Sequence, residues 1–108
     1  FAMTMAELET AVRERAKVIA LVFDNERYGT IRMWQERRGS GVGVATELGA
    51  VDFAAVARGL GANAATVERD DAFEPALRAA LADDRATVIH LRLDRAWVSV
   101  DRRPGAGV

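Results

Sequence analysis

Hydrophobic and polar positions in the first quarter of the chain predict a helix followed by a buried strand. Thr4 and Glu7 have the spacing of a capping box, and apolar residues then recur at helical intervals, which predicts a helix over residues 5–15. Val18 to Phe23 is an unbroken apolar run rich in β-branched side chains. Such a run is typical of a central strand in a parallel sheet that helices cover on both faces.

The middle of the chain predicts a short helix, a loop and a longer helix. Residues 28–37 place apolar side chains in a polar frame, which favours a short helix. Residues 39–50 form a glycine-bearing loop whose composition predicts mobility. Asp52 is a suitable N-cap for the next helix, whose apolar stripe consists of Phe53, Val56, Ala57 and Leu60.

The last third predicts a strand, a helix and a final strand. Residues 65–68 are a weak strand, and Asp71 with Glu74 has the spacing of a second capping box. Residues 87–93 alternate, which predicts a strand with one face less deeply covered than the other. Helices between strands imply crossover connections, so we expect a three-layer α/β/α sandwich with a mainly parallel sheet. Residues 1–96 would form the domain and residues 97–108 a tail.

Composition narrows the function classes. The 108 residues include 15 basic and 16 acidic side chains, so no overall field favours nucleic acid or an anionic membrane as a partner. The absence of cysteine excludes a disulfide scaffold, a thiolate metal site and a cysteine nucleophile. The longest apolar run is too short to span a bilayer, and we expect a cytoplasmic protein.

The strongest chemical signal is the polar pair that ends the first apolar run. Asp24 and Asn25 follow Phe23 directly, and ligands of parallel α/β sheets bind at the carboxyl ends of strands. Carboxylate and amide oxygens suit Mg²⁺, and a helix that begins after Arg27 would present free N–H groups to an anion. The residues alone leave a plain turn open as the alternative, because Asp and Asn favour turns for backbone reasons.

The wider sequence resembles the C-terminal, diphosphate-binding domain of thiamine-diphosphate-dependent enzymes. The similarity is to the superfamily of acetolactate synthase, benzoylformate decarboxylase and pyruvate oxidase. In that family an apolar strand ends in Asn-Asn, about two dozen residues after a Gly-Asp-Gly motif. Here the matching segments read "VIALVFDN", "YGTIR", "QERR", "DFAAVARGLGA" and "TVIHLRLD".

The resemblance implies roles for individual residues. The Asn25 side-chain oxygen and the Arg27 backbone carbonyl would be metal ligands for Mg²⁺. Tyr28 and Gly29 would offer backbone N–H groups to the diphosphate. Met3, Thr30 and Ile31 would lie toward the thiazolium ring of the cofactor.

Two departures from the family pattern bear on cofactor binding. Asp24 stands where the family has the first asparagine of the pair, so a small oxygen-bearing side chain is kept. The Gly-Asp-Gly segment is absent, so we expect a partial domain that lacks its N-terminal elements and the aspartate that anchors Mg²⁺. The chain alone is therefore expected to bind the cofactor poorly and to be inactive.

The resemblance implies a lyase or transferase activity for the intact protein: decarboxylation or carboligation of a 2-oxo acid substrate. The activating glutamate would come from a pyrimidine-binding domain of the same or another subunit, in a homo-oligomer such as a dimer or tetramer. No catalytic residue is assigned within this chain. The alternative is a non-catalytic α/β folding or dimerisation module that binds no cofactor.

Other conspicuous residues favour structural roles. His90, the only histidine, lies within a predicted strand and is expected to be packed or at an edge. Gly39, Gly41 and Gly43 lack the spacing of a phosphate-binding loop and favour a flexible lid. Trp34 is expected in the core or at a subunit contact.

Overall fold

A computed structural model describes residues 1–39 and 43–97, which form two compact units. The sheet unit comprises residues 1–23 and 52–92, and the turn unit comprises residues 24–51 together with the chain from Leu93. Of the predicted tail, 97–108, only Trp97 lies within the described residues. The elements in chain order are α1 (Glu7–Arg13), β1 (Ile19–Asp24), α2 (Gly29–Arg38), α3 (Phe53–Gly59), β2 (Asn63–Val67), α4 (Asp70–Ala82) and β3 (Thr87–Arg92).

The three strands form one sheet in the order β1-β3-β2. β2 and β3 run parallel, with Asn63 opposite Thr87 and Val67 opposite Leu91. The strands alternate with helices along the chain, which confirms the predicted α/β class of a partial domain. No helix in the described ranges has the length and apolar content needed to cross a membrane.

Alternate side chains of β3 supply two separate cores. Val88 belongs to a cluster with residues of α1 and α3, whereas Ile89 belongs to a cluster with residues of α4. Because Val88 and Ile89 are both fully buried, both faces of this strand are covered. The expectation that one face of this strand is less deeply covered was therefore wrong.

His90 is a buried residue on the Val88 face of β3. Its ring packs edge-on against Phe53, with 5.1 Å between ring centroids and an interplanar angle of 78°. This confirms the prediction of a packed histidine.

β1 lies at one edge of this sheet, which corrects the prediction that it is the central strand. Val22 is buried, but Leu21 is 39% exposed and Phe23 is 68% exposed. An apolar run predicts a strand, but it does not show whether one or two other strands lie beside that strand in the sheet. Within the described residues β3, with its alternating sequence, holds the central position.

Neither predicted capping box forms. α1 has no side-chain cap, and the Glu7 carboxylate instead accepts a hydrogen bond from the Thr10 hydroxyl. At the start of α4 the Asp71 carboxylate binds the Arg69 guanidinium. The Glu7 and Asp71 carboxylates are thus already bound to neighbouring side chains. The spacing that predicted the two capping boxes did not take these neighbours into account.

The predicted N-cap of α3 does form, because Asp52 Oδ1 accepts the Ala55 N–H at 3.0 Å. We expect Asp52→Ala to lower the free energy of unfolding by about 1 kcal/mol, the usual cost of losing an N-cap. Urea denaturation followed by circular dichroism measures this change. Asp71→Ala is the matched control, since Asp71 caps no helix. An equal loss in both variants would contradict the capping assignment.

Candidate functional site

The turn after β1 is shaped by its own side chains. Asp24 Oδ1 accepts the Glu26 N–H at 2.9 Å, and Asn25 Oδ1 lies 3.4 Å from the Arg27 nitrogen as a hydrogen-bond acceptor. Both contacts are side-chain-to-backbone bonds of the kind that Asp and Asn make in turns. Glu26, between them, has a φ of +57°, a conformation that costs most side chains energy.

The orientation of the Asn25 amide is set by two neighbours. Its Nδ2 donates to the Trp97 carbonyl at 3.1 Å, so Oδ1 is the atom that faces the Arg27 N–H. The 3.4 Å separation exceeds the usual N–H···O range of about 2.7–3.2 Å. Among the described residues, the amide oxygen therefore has a fixed direction and one long hydrogen bond, from Arg27.

The backbone of Arg27 pairs with Glu47 in an isolated antiparallel bridge. The hydrogen bonds belong to the flanking residues: the Tyr28 N–H donates to the Thr46 carbonyl and the Leu48 N–H to the Glu26 carbonyl, both at 2.8 Å. In such a pair the N–H and C=O of the central residues point away from the partner segment. The Arg27 carbonyl and the Arg27 N–H are consequently both directed away from Glu47. The N–H on that side faces the Asn25 amide oxygen.

α2 begins directly after this bridge, at Gly29. No side chain caps its N-terminus, and no acidic residue lies in its first turn. The Tyr28 N–H is engaged with the Thr46 carbonyl, whereas the N–H groups of Gly29 and Thr30 belong to the first turn, where no intrahelical acceptor exists. This end of the helix carries partial positive charge without a competing carboxylate of its own.

Three arginines surround one carboxylate beside the turn. Glu47 pairs with Arg27 at 3.3 Å and also contacts Arg32 and Arg95. Arg95 reaches Glu26 as well, at 3.1 Å. Burial alone would raise the pKa of the Glu47 carboxyl, but the charges of the three arginines outweigh it and lower the pKa. Glu47 is therefore a stable anion at neutral pH.

The sequence gives no local signal for this cluster. Glu47 lies 15 residues from Arg32 and 48 from Arg95, so no motif or helical spacing joins them. The loop that carries Glu47 is also attached to α2, because the Gln35 amide accepts the Val44 N–H at 2.7 Å and donates to the Val44 carbonyl at 3.1 Å. Residues 43–50 contain no helix or strand, as predicted for a loop, and Gly41 lies outside the described residues.

All of the predicted site residues except Met3 lie in one unit. Asp24, Asn25, Arg27, Tyr28, Gly29, Thr30 and Ile31 lie in the turn unit, whereas Met3 lies in the sheet unit and is 98% exposed. Trp34 is 45% exposed, with the Arg37 and Arg38 guanidinium groups over its ring, so it is not a core residue. Over residues 1–39 and 43–97, no three acidic or histidine side chains form a metal-binding group.

The left-handed conformation of Glu26 gives a test of the turn. Glu26→Val and Glu26→Asn both remove the carboxylate that pairs with Arg95, but a β-branched side chain fits poorly at positive φ, whereas Asn tolerates it. We expect the Val variant to be less stable than the Asn variant by about 1–2 kcal/mol. Urea unfolding of the two variants measures the difference, and equal stabilities would contradict the turn geometry.

Comparison with known proteins places these features in a family context. A family model described as "Thiamine pyrophosphate enzyme, C-terminal TPP binding domain" matches residues 1–91. Over 97 residues the chain is 35% identical to the catabolic acetolactate synthase of Raoultella terrigena. This alignment covers 87% of this chain and 17% of that protein. It is also 35% identical over 97 residues to sulfoacetaldehyde acetyltransferase of Castellaniella defragrans, with 86% of this chain and 16% of that protein covered. The chain thus spans a small part of the length of these curated relatives.

Proposed function

The chain belongs to the thiamine pyrophosphate enzymes, within their C-terminal TPP-binding domain, and we propose that it holds the Mg²⁺-diphosphate end of the cofactor. The metal ligands in this proposal are the Asn25 amide oxygen and the Arg27 backbone carbonyl. The backbone N–H groups of Gly29 and Thr30 receive the diphosphate, with Tyr28 and Asp24 shaping the approach. The observation that supports the proposal is the hydrogen-bond pattern around Arg27: its N–H donates to Asn25 Oδ1, and the bonds that flank its bridge with Glu47 leave its carbonyl directed away from Glu47.

The donor chemistry of this turn fits Mg²⁺. An amide oxygen and a backbone carbonyl are hard ligands, and Mg²⁺ takes few protein oxygens while keeping water and phosphate oxygens. The Asn25 oxygen has a fixed direction and, within the part of the chain that the structure describes, accepts only a long hydrogen bond from Arg27, which leaves it available to a cation. A third ligand would come from the aspartate of the Gly-Asp-Gly segment that the family carries upstream.

The start of α2 fits the phosphate groups. Its first turn lacks carboxylates, and helix N-termini with free amides bind anions. The Tyr28 amide donates to the Thr46 carbonyl, so the N–H groups of the first turn, at Gly29 and Thr30, are the better candidates. Asp24 contributes by accepting the Glu26 N–H, which sets the turn that leads to the helix.

We further propose that the complete protein is longer than this chain and acts on 2-oxo acids by decarboxylation or carboligation. The chemistry supplied by bound thiamine diphosphate would be that of its thiazolium carbanion, a nucleophile toward carbonyl carbon. The residues described here bind and orient the cofactor, and the glutamate that activates it belongs to a pyrimidine-binding domain of the same or another subunit. A homo-oligomer follows if that domain lies across a subunit interface.

Calorimetric titration of thiamine diphosphate into the complete protein tests this function. We expect saturable binding in the presence of Mg²⁺ and a loss of most of the affinity when a chelator removes the metal. Binding that is indifferent to Mg²⁺ would contradict the proposed ligands. No binding under either condition would favour a non-catalytic α/β module.

A further inference from the structure

We propose that Glu47 is a positioning residue for the divalent cation. Its carboxylate holds Arg27 so that the Arg27 backbone carbonyl stays directed away from Glu47, on the side where the Arg27 N–H meets the Asn25 amide oxygen. This inference rests on the proposed function, because it concerns the same cation site. Glu47 itself touches neither the cation nor the cofactor.

The Arg27 side chain depends on Glu47 for its counter-charge. It is only 14% exposed, and its Nε is buried with no hydrogen-bond partner among the described residues. Its terminal nitrogen lies 3.3 Å and 3.5 Å from the two Glu47 carboxylate oxygens. A largely buried guanidinium without a counter-charge carries a desolvation penalty, so loss of the Glu47 charge would drive Arg27 toward water.

The same two residues are coupled through their backbones. Two hydrogen bonds, at Tyr28 and Leu48, flank the bridge between Arg27 and Glu47. A bridge of only two hydrogen bonds is a weak restraint, because each contributes little beyond the water contacts it replaces. The side-chain pair is therefore needed to keep the Arg27 backbone in one orientation.

Glu47 also connects the other segments that meet at the turn. It contacts Arg32 from α2 and Arg95 from the segment after β3, and Arg95 in turn contacts Glu26. Glu26 separates the two proposed metal ligands and has positive φ. One carboxylate thus holds the turn both directly, through Arg27, and indirectly, through Arg95.

The test measures the Mg²⁺ requirement for thiamine diphosphate binding in the complete protein. We expect E47Q to raise the half-saturating Mg²⁺ concentration by about tenfold. This is the usual effect of losing a residue that orients a metal ligand without binding the metal. At saturating Mg²⁺, calorimetry should return a thiamine diphosphate affinity within about twofold of wild type, because bound metal restores the ligand geometry. A loss that saturating Mg²⁺ does not restore would indicate a merely structural role and overturn the inference.

E36Q is the matched control. Glu36 pairs with Arg32 at 2.8 Å, so this variant removes one carboxylate from the same group of charges without removing the partner of Arg27. Its half-saturating Mg²⁺ concentration should stay within about twofold of wild type, well below the tenfold change that loss of a supporting residue brings. Equal shifts in E36Q and E47Q would overturn the specific role of Glu47.

R27M tests whether Glu47 acts on the cation site through the Arg27 side chain. It removes the guanidinium but keeps the backbone carbonyl, and we expect a similar rise of about tenfold in the Mg²⁺ requirement. R27M/E47Q should be no worse than E47Q alone, because the two residues act as one pair. A rise in the Mg²⁺ requirement of R27M/E47Q equal to the product of the two single-variant rises would overturn the inference. If E47Q does not fold, R27M carries the test, and an unchanged Mg²⁺ requirement in R27M overturns it.

Failure of this inference is distinguishable from failure of the proposed function. If N25A loses Mg²⁺-dependent binding while E47Q behaves as wild type, Glu47 has no positioning role and the cation site stands. If N25A itself binds as wild type does, the proposed cation site is wrong, and the role of Glu47 falls with it.

Discussion

Asn25→Ala is expected to weaken Mg²⁺-dependent binding of thiamine diphosphate to the complete protein by about one to two orders of magnitude. The substitution removes the amide oxygen whose direction is fixed by the Trp97 carbonyl and the Arg27 N–H. Asn25 lies in the turn after β1 and is absent from both hydrophobic clusters, so the fold should persist. Calorimetry measures the affinity, and far-ultraviolet circular dichroism checks the fold.

Asp24→Asn is the matched control for this prediction. Its amide oxygen can still accept the Glu26 N–H, so the turn is preserved, and the pair becomes the Asn-Asn of the family pattern. We expect an affinity within about threefold of wild type, since the proposed metal ligands are untouched. Unchanged affinity in Asn25→Ala, or an equal loss in Asp24→Asn, would count against Asn25 as a ligand.

Val88→Asp is expected to abolish folding of the domain. Val88 is fully buried on the central strand and belongs to the cluster shared with α1 and α3. A carboxylate there has no cationic partner in that cluster, and an unpaired buried charge costs a large share of the roughly 5–15 kcal/mol that stabilises a small domain. Loss of near-ultraviolet circular dichroism and of a cooperative urea transition measures this outcome.

Leu81→Asp serves as the control for Val88→Asp. Leu81 is 58% exposed on α4, so the same change of residue type adds a solvated charge. We expect a change in the free energy of unfolding within about 0.5 kcal/mol. A folded Val88→Asp variant with wild-type stability would contradict the position of β3 at the centre of the sheet.

The elements of the fold follow from the sequence wherever one local signal dominates. The apolar run before Asp24 predicted β1, and Asp52 before an apolar stripe predicted α3 with its N-cap. The family resemblance is confirmed by the match over residues 1–91. The order of strands was not predictable in the same way, because Leu21 and Phe23 are apolar and still exposed at the edge of the sheet.

Only part of the candidate site could be predicted from the sequence. Asp24 to Thr30 are contiguous, so a single motif indicated the turn and the start of α2. Glu47 and Arg95 were missed because they reach the turn only through the folded chain, and each looks like an ordinary surface charge in the sequence. The capping boxes failed for a local reason instead, since Arg69, two residues before Asp71, binds its carboxylate.

The most direct test of the account is anomalous diffraction from crystals of the complete protein with thiamine diphosphate and Mn²⁺ in place of Mg²⁺. We expect a single metal peak with the Asn25 side-chain oxygen and the Arg27 backbone carbonyl both at coordination distance, about 2.0–2.3 Å, and with the Gly-Asp-Gly aspartate, diphosphate oxygens and water as the other ligands. A metal peak that neither of these two oxygens contacts would contradict it.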